Sequence, residues 1–85
     1  MSLHYTIYTE NKNPEGVVAI LNQYFDGYTV LRGMGYWKGK PESSLIVLIV
    51  EDNAEKVQRA AEDIKSLNEQ EAILIVETQC AVTFV

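Results

Sequence analysis

Apolar residues along this chain change their spacing several times, and each change marks an element. Leu3, Tyr5 and Ile7 alternate with polar neighbours in a stretch rich in β-branched and aromatic residues, which predicts a first strand over 4–10. Farther on, Val17, Val18, Ile20, Leu21, Tyr24 and Phe25 recur at helical spacing as one broad stripe. Asn13 is placed to cap that helix, with Pro14 at its first position and Glu15 favourable to the dipole. The helix is expected over 14–25, with Gly27 closing it in the left-handed conformation. A second strand over 28–37 carries Gly33 and Gly35 on one face, and glycine inside a strand marks a bulge, bend or close backbone approach. A turn over 38–44 leads to a third strand over 45–50. Asp52 and Glu55 have the spacing of an acidic capping box before a second helix over 54–67. Its inner stripe is Ala54, Val57, Ala61, Ile64 and Leu67 with Ala60 beside it, and Glu55–Arg59 and Arg59–Asp63 form i,i+4 pairs outside. A polar connector over 66–71 and a fourth strand over 72–76 follow, and 79–85 offers a further short edge strand.

The order β-α-β-β-α-β, with the helices separated by a hairpin, is the ferredoxin-like split arrangement of an α+β domain over 1–85. Both helices then cover one face of a four-stranded antiparallel sheet. A parallel central pair is excluded, because so short a connection cannot make the crossover.

Two strands break the alternation. The six residues 45–50 (Leu, Ile, Val, Leu, Ile, Val) and the four at 73–76 (Ile, Leu, Ile, Val) are wholly aliphatic, so both faces of the sheet carry large apolar side chains. Two short helices cover one face only. Burying a few hundred Å² of the other, at about 25 cal/mol per Å², is worth several kcal/mol. The tail over 79–85 is too short to cover it, so a second copy of the chain is expected there.

Length and composition narrow the class. Eighty-five residues allow one modest core, and 47% hydrophobic with 22% charged residues is a globular composition. A net charge of −5 argues against binding nucleic acid or an anionic membrane. No apolar run is long enough to span a bilayer, and the first residues lack the pattern of a secretory signal. The lone Cys80 makes no intrachain disulfide and suits a reducing cytoplasm.

Tyr36, Trp37, Lys38, Gly39 and Lys40, followed by Glu42, Ser44 and the aliphatic run over 45–50, resemble the central hairpin of the CutA family. The whole plan is similar to the superfamily that joins CutA to the PII signalling proteins. That resemblance implies a compact trimer of ferredoxin-like subunits whose sheets face the three-fold axis. It also implies a regulatory module. The chain departs from PII-like proteins in its short connection over 38–44, where they carry a long flexible loop. The connector over 66–71 lacks the glycines and positive charge with which PII-like proteins hold nucleotide phosphates. It also lacks the His-Pro-Tyr-Glu stretch of CutA-type proteins; only Glu69 or Glu71 can correspond. No nucleotide, metal or other cofactor is therefore expected.

Among chemistry-bearing residues, His4 and Cys80 are one imidazole and one thiol far apart in sequence, which is no metal motif. An ordinary strand thiol and a surface histidine are the simpler reading than a nucleophilic pair. Glu69, Glu71 and Glu77 could bind a cation, but a solvated acidic loop is the simpler reading. Gly33-x-Gly35 lies inside a strand and is no dinucleotide fingerprint. The hairpin differs, because Arg32, Tyr36, Trp37, Lys38 and Lys40 gather three of seven basic residues and two of eight aromatics within nine positions. With Gly35 and Glu42 they form the candidate ligand site, suited to an anionic or planar small molecule. The competing reading gives the aromatics to a subunit interface and the lysines to protection of the hairpin edge.

The leading expectation is a non-enzymatic, cytoplasmic, PII/CutA-like oligomer, as a trimer, binding a small ligand or partner protein at clefts between subunits. The alternative is a small oligomeric ferredoxin-like enzyme acting on a small organic molecule in an apolar cavity. It would need a polar group inside that cavity, and the inward stripes offer none beyond Tyr5, Tyr24 and Tyr28.

Overall fold

A computed structural model describes residues 2–85; Met1, the first residue of the expected domain, lies outside the described residues. The elements are β1 (Ser2–Glu10), α1 (Pro14–Tyr24), β2 (Thr29–Trp37), β3 (Lys40–Val50), α2 (Ala54–Asn68) and β4 (Leu74–Cys80). They form one antiparallel sheet in the order β2-β3-β1-β4, as the split βαβ plan requires. Gln79 and Cys80 close β4, and 81–85 has no regular structure, so the further edge strand does not form.

Register explains the core. Val30, Val47, Ile7 and Ile75 lie opposite one another across all four strands. They face the helices, where Val17, Leu21, Phe25, Val57, Ala60, Ala61 and Ile64 are buried against them. Each fully buried aliphatic contributes about 1.5–3 kcal/mol of transfer free energy. Gly16 lets the helices close together, since a Cβ there would lie 2.7 Å from Leu67 Cδ2.

The opposite face is uncovered. Leu31, Ile46, Tyr8 and Leu74 form one row across the sheet, and Thr29, Leu48, Thr6 and Val76 form the next. Tyr8, Leu31, Val50, Leu74 and Val76 are 41–59% exposed. The tail does not shield them, because Phe84 is itself 96% exposed.

Several local expectations change. β3 begins at Lys40 rather than Leu45, so the connection shrinks from seven residues to the pair Lys38-Gly39, at φ 51° and 78°. Positive φ at both positions gives the twist that two-residue hairpins favour. Helix α1 does not end on a left-handed Gly27; Phe25 turns extended and drops into the core instead. Asn13 precedes α1 but is itself left-handed, and its side chain bonds Asn68 rather than the helix terminus. The cap of α2 is Asn53, which accepts from Lys56 N, in place of the expected Asp52–Glu55 box. Arg59 pairs with Glu55 at 2.6 Å, whereas Asp63 accepts from Tyr24 instead. Among the described residues, no helix is long and apolar enough to cross a membrane.

Candidate functional site

The two-residue turn makes the β2–β3 hairpin longer than the strand beside it. The last β1–β3 pair is Glu10 with Ser44, while β2–β3 pairing continues to Trp37 with Lys40. The hairpin therefore overhangs the end of β1. Asn11 fastens its base, with the backbone N–H donating to Ser43 O at 2.9 Å and Nδ2 to Ser43 Oγ at 3.0 Å.

Across the gap stands the segment 70–74, which leads from α2 into β4. Glu69 ends α2 in the left-handed conformation, and Gln70 N donates back to Lys65 O at 3.0 Å. Fully buried Asn68 holds this wall in place. It accepts from Asn13 Nδ2 at 3.1 Å and donates to Gln70 Oε1 at 3.0 Å, while its carbonyl accepts from Lys12 Nζ at 2.7 Å. The hydroxyl of Thr9 also donates to Gln70 Oε1, whose amide in turn reaches Ala72 O at 3.3 Å. The strand end, the turn before α1 and the loop after α2 are thus tied into one polar network.

Between hairpin and loop lies a half-open cleft of about 440 Å³. Gly35 and Ser44 form its floor, and a Cβ on Gly35 would stand 2.8 Å from Ser44 Oγ, so glycine keeps the floor open. Tyr8, Tyr36, Trp37, Ile73 and Leu74 supply apolar surface; Glu10, Glu42 and Glu71 supply carboxylates. The apolar row of the uncovered sheet face, Leu31–Ile46–Tyr8–Leu74, runs into the cleft through Tyr8 and Leu74.

Of the residues expected at a ligand site, Gly35, Tyr36, Trp37 and Glu42 line this cleft. Arg32, Lys38 and Lys40 lie outside its lining. Arg32 is opposite Leu45 and shares the helix side of the sheet, exposed at the β2 edge. Lys40 is opposite Trp37, and Lys38 Nζ lies 5.8 Å from the Trp37 ring centroid. The lysines therefore sit around the ring at the hairpin tip. Sequence reasoning missed Tyr8, Glu10 and Gln70, and it assigned Glu71 to a solvated acidic loop after weighing it as a cation ligand, since only strand order brings the end of β1 and the loop after α2 to the hairpin.

Elsewhere, Tyr5 is buried on the helix side, and its hydroxyl donates to Glu77 Oε1 at 2.8 Å. That bond, burial and the nearby carboxylates Glu77, Asp52 and Glu51 push Tyr5 up to about 12. The bond to Asp63 likewise raises Tyr24. Cys80 is a free thiol directed at Ser2 O, 3.6 Å away, with no hydrogen bond to His4. Among the described residues, no group of three or more His, Cys, Asp or Glu side chains is arranged to hold a metal ion.

No family model matches the sequence, and no curated protein matches it. Solved structures match over nearly the whole chain. A DUF3240 family protein from Shewanella baltica OS155 superposes with TM-score 0.75 at 8% identity, covering 99% of this chain and 94% of that one. CPII, a nitrogen regulatory PII-like protein from Thiomonas intermedia K12 bound to ADP, AMP and bicarbonate, gives 0.67 at 15% identity, covering 98% and 96%. CutA from Xylella fastidiosa gives 0.65 at 22%, covering 99% and 88%. A phage SAM lyase in complex with S-methyl-5'-thioadenosine gives 0.61 at 14%, covering 92% and 81%. The chain has the ferredoxin-like fold of the PII-like and CutA proteins.

Proposed function

We propose that this chain is a non-enzymatic regulatory module that acts as a cytoplasmic homo-oligomer, a trimer, and binds a small ligand in the hairpin cleft. The observation that carries this reading is the continuity of the uncovered apolar rows with the cleft. A second copy packed on those rows would bury Leu31, Leu74 and Val76 and roof the cleft in the same step. The number three is what the resemblance of the hairpin and element order to the PII/CutA superfamily implies. Trp37 gives the ligand a planar surface to stack on. Lys38 and Lys40 beside Trp37 offer an anionic substituent a place at the outer rim, outside the cleft lining.

The lyase likeness favours one second reading, in which the same cleft turns over a small organic molecule. Native mass spectrometry of protein isolated from its own host separates the two. The binding module predicts a three-chain assembly that releases an unaltered small molecule on denaturation. A monomer without retained ligand contradicts the proposal, and a bound molecule consumed on incubation favours the enzyme.

A further inference from the structure

We infer that the hairpin cleft takes an organic cation: a quaternary ammonium or comparable onium centre carried on a flat or apolar body. This rests on the reading of the cleft as a ligand site and names the chemistry of what enters it. Two independent features of the lining converge.

The first is aromatic. Apart from Phe84 in the tail, the exposed aromatics of the described chain are Tyr8, Tyr36 and Trp37, and all three line this one cleft. The core does not need them there. Ring faces carry negative quadrupole potential and attract a cation within about 6 Å. The Trp37 ring already does so within the chain, with the Lys38 ammonium 5.8 Å from its centroid.

The second is charge. Glu10, Glu42 and Glu71 line the cleft, no Lys, Arg or His lines it, and none of the three carboxylates is in an ion pair among the described residues. An anionic group placed inside would meet three like charges in a half-enclosed space, where screening by water is weakened. Lys38 and Lys40 can serve an anion only at the tip, outside the lining. Nor do the carboxylates converge into a metal site among the described residues. Charges spread round an aromatic-walled space of about 440 Å³ fit a large, weakly hydrated cation better than a bare metal ion.

The test titrates the protein with three probes of one shape, following Trp37, the only tryptophan. They are phenyltrimethylammonium, its uncharged tert-butyl counterpart and benzenesulfonate. The cation is expected to bind saturably, at least tenfold tighter than the uncharged probe, and to weaken as salt rises. Glu42→Gln and Glu71→Gln should each weaken the cation several-fold and leave the uncharged probe unchanged, with melting curves checking that both variants fold. Equal affinity for charged and uncharged probes, tighter binding of benzenesulfonate, or indifference to both substitutions overturns the inference while leaving the cleft a ligand site. If no probe binds, the cleft is not a ligand site, and both readings fall.

Discussion

Asn68 has no exposed surface, yet it shares a helix with the buried apolar residues Val57, Ala60, Ala61 and Ile64. Helical spacing alone puts an aliphatic there, and the sequence reading accordingly chose Leu67 as the last inward residue. The side chain is polar because it satisfies Asn13 and Gln70 at once, a requirement visible only after α1 and α2 meet. Asn68→Ala removes the bonds to Asn13 and Gln70 and leaves a void at a fully buried position, and urea unfolding should show a loss of about 1–3 kcal/mol. Asn68→Leu should not recover it, since filling that void restores neither bond. Tyr5 sets a pH limit. Its proton is held more tightly in the folded chain, at about 12, than the ordinary value of 10. The associated stability is fully present below pH 10 and is lost as pH rises from 10 towards 12. Ultraviolet titration should show a tyrosine ionising near pH 12, and Glu77→Gln should bring that step down. Completion of all tyrosine ionisation near 10 in the native protein would contradict the assignment.

At the level of elements, the two helices, the β-α-β-β-α-β order along the chain and the doubly apolar character of β3 were legible from spacing alone. Each rests on periodicity that local sequence carries. The reach of the hairpin was not. Pro41 and the serines made 38–44 look like a long turn, because proline removes a ladder donor. In a two-residue hairpin the closing pair, Trp37 with Lys40, is hydrogen-bonded, so the next pair, Tyr36 with Pro41, is not. The missing N–H of Pro41 thus faces away from β2, beyond the point where β1 has ended. Strand assignment there depends on a neighbour's length, which no local pattern encodes. The turn itself gives two tests. Gly39→Ala should lower stability by about 1 kcal/mol, since alanine resists positive φ. Lys38→Asn should hold or raise the melting temperature, because asparagine tolerates the left-handed region that Lys38 occupies at φ 51°. A gain from Gly39→Ala would mean that the turn has another conformation. By the same logic Glu69→Gly, at the left-handed end of α2, should stabilise by about 0.5–1 kcal/mol in thermal melts.

For the whole molecule, the candidate site was half legible. Gly35, Tyr36, Trp37 and Glu42 stood out as a cluster along the chain, but the opposite wall comes from residues some thirty positions away. The charge of the site changed most on folding: the lysines that drew attention to the hairpin lie at its tip outside the lining, and carboxylates from three separate segments line the cleft. The central claim joins that cleft to the uncovered sheet face, and Leu48 tests it. Its neighbour Val47 is buried under the helices, whereas Leu48 lies in the open row with Thr29, Thr6 and Val76. Leu48→Asp leaves the core intact and places an unpaired charge wherever a second chain packs. Sedimentation equilibrium at micromolar concentration should find a trimer for the natural sequence and a folded monomer for Leu48→Asp. A natural sequence that sediments as a stable monomer, or a Leu48→Asp variant that stays fully assembled, would contradict the account.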